Sequence, residues 1–230
     1  MVSKLGTVML DAIYPRRCAT CGERGAWVCE DCLAITPIFA PPWCTRCGIP
    51  PTVGRCRCAD MPRDLDAFRS LGAYAGWIKD SIHLLKFSGE HARDRHLGDL
   101  LARQLDDLSL PSDAMIVAVP LHVRRLRERG YNQSEKIARI VAEASGHVVE
   151  HPLSRIRETS QQAKLDAAQR VLNVAGAFAV TSAWEQRLSG RTIVVVDDVT
   201  TTGSTIGACA TPLKDAGASA VIGLAIARHL

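Results

Sequence analysis

The chain has 230 residues, 47% of them hydrophobic, with a formal charge of +4 and mixed acidic and basic residues. This supports one domain with a real core plus a smaller module and excludes a disordered chain; the charge suits a phosphate-bearing partner but is too small to argue for nucleic acid by itself. No apolar run is long enough to span a membrane, and Met1–Ile13 lacks the apolar centre of a signal peptide, so a cytoplasmic protein without membrane insertion is expected.

From the N-terminus, the first distinct region is Cys-rich. Residues 15–62 carry many Cys, Pro, Gly and Arg and no sustained helical or strand period. Eight of the nine cysteines form four pairs: Cys18 with Cys21, Cys29 with Cys32, Cys44 with Cys47, and Cys56 with Cys58. With no export signal, such pairs read as metal ligands rather than disulfides. Two thiolates flanking a tight turn chelate one Zn²⁺, and two such turns complete a tetrahedron. Eight ligands suggest two structural Cys₄ sites, with the pairs joined in sequential order. Interleaved pairing, and a single filled site because Cys56-x-Cys58 is tight, stay open. Lone Cys209 reads as a core residue.

The composition changes near Pro62, so a Cys-rich module over 1–62 and an α/β domain over 63–230 are expected. The pattern predicts strands at Phe68–Ala75, Ala114–Val119, His147–Glu150, Ala177–Val180, Thr192–Val196 and Ala220–Ala227. It predicts helices at Trp77–Phe87, Leu97–Leu108, Gln133–Ser145 and Thr205–Ala216, the last kinked at Pro212. The segment 155–175 is polar and helix-prone. Alternation of strands and helices argues for a mainly parallel sheet, which binds ligands beyond the carboxyl ends of its strands. The places to look are therefore the segments after Val119 and after Val196.

The sharpest chemistry follows Val196: Asp197 and Asp198, then Val199-Thr200-Thr201-Thr202-Gly203-Ser204-Thr205. Adjacent carboxylates at a strand end suit ribose hydroxyls or a magnesium-bound water network. The hydroxyl-rich entry to a helix supplies backbone N–H groups for a phosphate, and Gly203 permits close approach. The same Thr and Ser residues would serve as plain helix caps, but two adjacent acids at the end of a buried strand gain little structurally.

This run resembles the signature of type I phosphoribosyltransferases. Further blocks narrow the resemblance: His83-Leu84-Leu85-Lys86-Phe87, Val119-Pro120-Leu121-His122, Arg129-Gly130-Tyr131-Asn132-Gln133-Ser134, and Arg157-x-Thr159-x-x-Gln162-x-x-Leu165 running on to Arg170 and Asn173. In this order, and with the Cys-rich head, they resemble the ComF family of competence-related phosphoribosyltransferase-like proteins. The resemblance implies a type I phosphoribosyltransferase fold, α/β with a mainly parallel sheet flanked by helices, behind a double zinc ribbon. It implies that Asp197 and Asp198 hold the ribose of 5-phosphoribosyl 1-diphosphate (PRPP) and carry the catalytic role. Thr201, Thr202, Gly203, Ser204 and Thr205 hold its 5-phosphate. Pro120 to Arg129 would be the diphosphate loop, Arg157 to Arg170 a mobile cover, and Lys86 and Arg157 further PRPP contacts.

If the chain is catalytic, a nitrogen nucleophile displaces diphosphate at ribose C1, with Mg²⁺ neutralising the leaving group. Thr201 stands where several purine-salvage relatives carry an acid, and Glu158 is the one carboxylate weighed as a base. The acceptor stays unidentified, and nucleotide salvage and DNA uptake are both open. The alternative is a non-catalytic PRPP- or nucleotide-responsive factor in natural transformation that binds DNA or protein. For that reading, Trp27, Trp43 and the arginines of the head offer single-stranded DNA or a competence-machinery protein a surface. Two tryptophans filling a small core is the simpler reading of the same residues.

Overall fold

In the computed structural model the described residues are 15–87, 91–159 and 167–230, less the side chains of Lys86, Phe87, His91, Arg129, Ala167 and Ala168. The α/β body holds five parallel strands in the order β1-β7-β6-β2-β3: β1 (Ala67–Ala73), β2 (Met115–Ala118), β3 (Val148–Val149), β6 (Thr192–Thr200) and β7 (Ala220–Arg228). Two more strands, β4 (Leu153–Arg155) and β5 (Phe178–Val180), form a separate antiparallel pair. The helices are α1 (Glu30–Ile35), α2 (Gly76–Phe87), α3 (His91–Ala102), α4 (Val123–Arg129), α5 (Gln133–Ser145), α6 (Ala167–Val174) and α7 (Ser204–Asp215). Among the described residues no helix is long and apolar enough to cross a membrane.

The central strands are apolar on both faces because both faces are covered. Val194, Val196, Ile222 and Leu224 join one core cluster with Trp77, Ile82, Leu97 and Ile137 of α2, α3 and α5. The alternating residues Ile193, Val195 and Val221 join the other with Ile206, Cys209 and Leu213 of α7. This is the period-2 split that a doubly covered strand requires.

The Cys-rich segment straddles the outer edge of the sheet. Cys18 and Cys32 belong to the first core cluster, whereas Cys47, Ile49 and Met61 belong to the second. Between them the segment pairs with β1, which would otherwise present an open edge. The Phe68 N–H donates to the Arg46 carbonyl at 2.7 Å, and the Phe39 N–H to the Leu71 carbonyl at 2.8 Å. Two buried arginines clamp the segment to the body. Arg93 donates to the carbonyls of Trp27 (3.3 Å) and Arg17 (3.0 Å) and lies 4.7 Å from the Trp27 ring. Arg69 donates to the Thr45 carbonyl (3.0 Å), lies 5.2 Å from the Trp43 ring and pairs with Asp107 at 2.7 Å. Trp43 also donates to Asp107 at 2.8 Å. Both tryptophans are half-buried, and each stacks against one of these arginines.

Several elements differ from expectation. The helix expected over Leu97–Leu108 begins at His91 and gives way at Arg103 to a 3₁₀ turn, which buries Gln104 and Leu105 and brings Asp107 beside Arg69. The strand expected to end at Val196 runs on to Thr200, because β7 continues beside it. The loop expected over Pro120–Arg129 is mostly helix α4. Its Leu, Arg and Glu residues favour helix, Arg124 pairs with Glu128 one turn on (3.3 Å), and Gly130 closes it in the left-handed region. Of the expected cover, residues 160–166, with Gln162 and Leu165, lie outside the described residues.

Candidate phosphoribosyl site and cysteine clusters

The carboxyl ends of β2 and β6 do not coincide. The Val119 N–H still reaches the Val196 carbonyl at 2.9 Å, then Pro120 ends the pairing for want of an N–H. Beyond Val196, β6 pairs only with β7, with Asp197 opposite Ala225 and Thr200 opposite Arg228. Asp197 and Asp198 therefore stand half-buried on a strand whose β2 side has fallen away. Asp197 Oδ1 accepts from the Ser134 hydroxyl at 2.9 Å and from the Asp198 N–H at 3.0 Å. Asp198 Oδ1 accepts from the Val199 N–H at 2.7 Å.

In the sequence Ser134 stands out only as part of a family block, with no readable role. Its neighbour Asn132 caps α5: the side-chain carbonyl accepts from the Ser134 N–H (3.2 Å) while Nδ2 donates to the Val119 carbonyl (3.0 Å). The block thus ties the end of β2 to the start of α5 and aims a hydroxyl at Asp197.

The turn that follows is half-exposed at Thr201, Thr202 and Gly203. Gly203 has φ +77°, which costs glycine little and any other residue strain, and it begins α7. The first N–H groups of a helix have no intrahelical acceptor. Here the Ser204 N–H has a long contact, 3.4 Å, to the Thr202 hydroxyl. A groove of about 350 Å³ flanks the turn, lined by Pro62, Thr202, Ser204 and Gly207 on one side and Val171 and Val174 on the other. Beneath, burial and the nearby Asp197 charge push the Cys209 thiol well up, as suits a core residue.

The remaining site candidates are less concentrated. Pro120 lies two residues past the end of β2, while the side chains of Lys86 and Arg129 lie outside the described residues. Arg157 donates to the carbonyls of Asn173 (3.1 Å) and Ala175 (2.7 Å), closing the end of α6. Glu158 lies 3.6 Å from Arg124 at the surface. Arg155 on β4, which no sequence motif marks, brings a guanidinium over the Phe178 ring at 5.3 Å; burial and then the charge of Arg125 lower its pKa.

The eight paired cysteines gather into two groups, Cys18, Cys21, Cys29 and Cys32, and Cys44, Cys47, Cys56 and Cys58, with the sulfurs of each within 4.8 Å of one another. The pairing is the sequential one. In the second group the Sγ–Sγ distances include 3.2, 3.4, 3.7 and 3.8 Å. The edge of a tetrahedron with Zn–S of ~2.3 Å is ~3.8 Å, so these thiols fit zinc. Both first pairs turn alike: the Gly22 N–H donates to the Cys18 carbonyl (3.0 Å) and the Gly48 N–H to the Cys44 carbonyl (2.8 Å).

Electrostatics make the same point. At Cys18 burial opposes ionisation, but backbone N–H groups of Cys21, Cys29 and Thr20 outweigh it and lower the thiol to about 6. The Cys47 N–H leads in lowering Cys44 to about 6. The neighbouring Cys29 thiol, with burial, pushes Cys32 up to about 12, and burial with Cys56 does the same for Cys58. Four thiolates so close cannot all ionise without a cation between them. Zinc bound there is structural, because four sulfurs close its coordination.

A double zinc ribbon family model matches residues 9–61. Along most of its length the chain is 34% identical to the DNA utilization protein YhgH of Escherichia coli K12, over 86% of this chain and 88% of that protein. It is 28% identical to competence protein F of Haemophilus influenzae (83% and 85%) and 25% identical to competence protein ComFC of Bacillus subtilis (85% and 81%). The chain belongs to the ComF family. Its fold is a mainly parallel sheet flanked by helices, behind an N-terminal zinc ribbon. Among solved structures, the glutamine PRPP amidotransferase of B. subtilis in complex with ADP and GMP overlaps 58% of this ComF-family chain at 25% identity with a TM-score of 0.38; the overlap spans 26% of that longer chain. The protein TT1426 from Thermus thermophilus overlaps 58% of this chain and 83% of its own at 16% identity, with a TM-score of 0.33. The family assignment rests on the sequence relatives rather than on these overlaps.

Proposed function

We propose that this ComF-family protein binds PRPP with Mg²⁺ at the carboxyl end of its sheet and acts in DNA uptake or utilization, in the cytoplasm, where a reducing environment keeps zinc thiolates intact. The chain divides near residue 62 into a zinc-ribbon head and a phosphoribosyltransferase-type domain. One observation carries the reading: two carboxylates on the part of β6 that has lost its β2 neighbour, directly before the hydroxyl-lined entry to α7.

Asp197 and Asp198 accept hydrogen bonds from the ribose hydroxyls, Asp197 held in position by Ser134. Residues 201–205 receive the 5-phosphate on backbone N–H groups and hydroxyls. Bound Mg²⁺ would neutralise the diphosphate, and the half-buried acids at 197 and 198 are the groups suited to its water shell. The names of the relatives, competence and DNA utilization proteins, support the biological setting. Binding without transfer is the second reading, favoured by Thr201 in place of an acid and by the Arg124 pairing of Glu158.

Calorimetry with PRPP and Mg²⁺ tests the site: the wild-type chain gives a saturable heat, and Asp197→Asn with Asp198→Asn abolishes it. Equal heats from both proteins would sink the assignment. Diphosphate release across a panel of nucleobases then separates transfer from binding alone.

A further inference from the structure

The two cysteine clusters dock on different parts of the body. The first reaches α2 and α3: Thr20 donates to Asp80 at 2.7 Å, Trp77 donates to the Thr36 carbonyl at 2.7 Å just after α1, and Arg93 holds the Trp27 and Arg17 carbonyls. The second reaches the strand ends that carry the candidate phosphate turn. Arg228, the last residue of β7, donates to the Cys47 carbonyl at 2.7 Å and stands opposite Thr200 in the β6 register. Met61 and Pro62, directly after this cluster, lie against the turn. An ideal Cβ on Gly207 would come within 2.5 Å of the Pro62 ring, and one on Gly203 within 3.4 Å.

Arg228 is unusual for a strand-end cation. It is only 4% exposed, lies 5.1 Å from the Phe68 ring, and its Nε has no hydrogen-bond partner among the described residues. With Met61, Pro62, Thr200, Thr202 and Gly203 it lines a small cavity behind the turn. A buried guanidinium is costly where it serves only packing. Set behind a phosphate turn, it adds a fixed positive potential on the anion's side of the fold and joins that turn to the metal cluster.

We propose that the second cysteine cluster, loaded with zinc, holds the Thr200–Gly203 turn in shape, and that Arg228 is the positioning residue linking the two. This deepens the phosphate reading of the turn and rests on it for the identity of the ligand. The zinc occupancy of the second cluster, and not of the first, then controls affinity for a sugar phosphate.

Hydrogen–deuterium exchange on the full chain tests the link without any ligand. Cys56→Ser with Cys58→Ser should speed exchange about tenfold in peptides covering residues 200–207, while Cys21→Ser with Cys29→Ser leaves them unchanged. Arg228→Met should speed the same peptides, and Arg228→Lys, which keeps the charge and one donor, should restore most of the protection. Calorimetry with ribose 5-phosphate should show weakened binding in the same variants. Equal exchange in both cluster variants, or an unaltered turn in Arg228→Met, overturns the proposal. If the second-cluster variant unfolds globally, seen as fast exchange in β2 and central β6 as well, Arg228→Met against Arg228→Lys decides it instead. If the wild type takes up no ribose 5-phosphate, the phosphate reading fails while the exchange data still judge the link.

Discussion

Gly207 reverses an ordinary rule. Inside a helix, replacing glycine by alanine stabilises by about 0.5–1 kcal/mol. Here the added methyl would meet the rigid Pro62 ring, so head or helix must move. Gly207→Ala is expected to destabilise by about 1–3 kcal/mol, read as a lower urea midpoint. A raised midpoint would mean that Pro62 yields to the methyl at no cost. Asp197 shows a different limit at this scale. Its carboxylate is legible as a candidate site group from the Asp-Asp-x-Thr-Thr-Thr-Gly run. Its hydroxyl partner Ser134 is not, because the two lie 63 residues apart and only the packing of α5 against β6 joins them.

Single elements are legible where hydrophobic period and caps agree. The helix Gln133–Ser145 begins and ends as expected, with Asn132 and Gly146 as its caps. The Thr192 strand reads short in the sequence because Asp197 and Asp198 look like loop, although a neighbouring strand can carry acids at its edge. The resemblance implies a loop over Pro120–Arg129, although Arg124, Glu128 and Gly130 hold the helical signal of α4. The 3₁₀ turn over Arg103–Leu108 has a consequence that can be measured. It presents Asp107 to buried Arg69, and although burial opposes ionisation, the Arg69 and Trp43 donors hold the carboxyl below its ordinary range. A lowered folded pKa means stability that is complete above the unfolded value near pH 4 and is lost as pH falls toward the folded one. Asp107→Asn should therefore cost about 1.5–3 kcal/mol at pH 7, with the gap from wild type closing below about pH 4. A gap independent of pH would place the loss in packing rather than in the ion pair.

At the scale of the molecule, the Cys-rich segment is less a separate bead than a clasp. It contributes cysteines to both core clusters and covers the β1 edge. A chain lacking residues 1–62 would expose that edge together with Leu71, Phe68 and the buried arginines Arg69 and Arg93. Such a chain should aggregate or fail to fold cooperatively, and strong chelation of the intact protein should lower the melting temperature of the whole α/β signal. A truncated chain that melts sharply at the wild-type temperature would show that the head is dispensable for the fold.

The amino-acid order alone determined which residues are candidates for chemistry: paired thiols for zinc, and adjacent acids with a hydroxyl-rich helix entry for the proposed sugar-phosphate site. It also determined the alternation that makes a parallel sheet, since period and capping act within a few residues. Tertiary structure decided what each group faces: which cysteines share a cluster, which hydroxyl steadies Asp197, and why Arg228 lies buried between a metal site and a turn. Those relations depend on chain segments brought together by the closing of the core, and no local pattern encodes them.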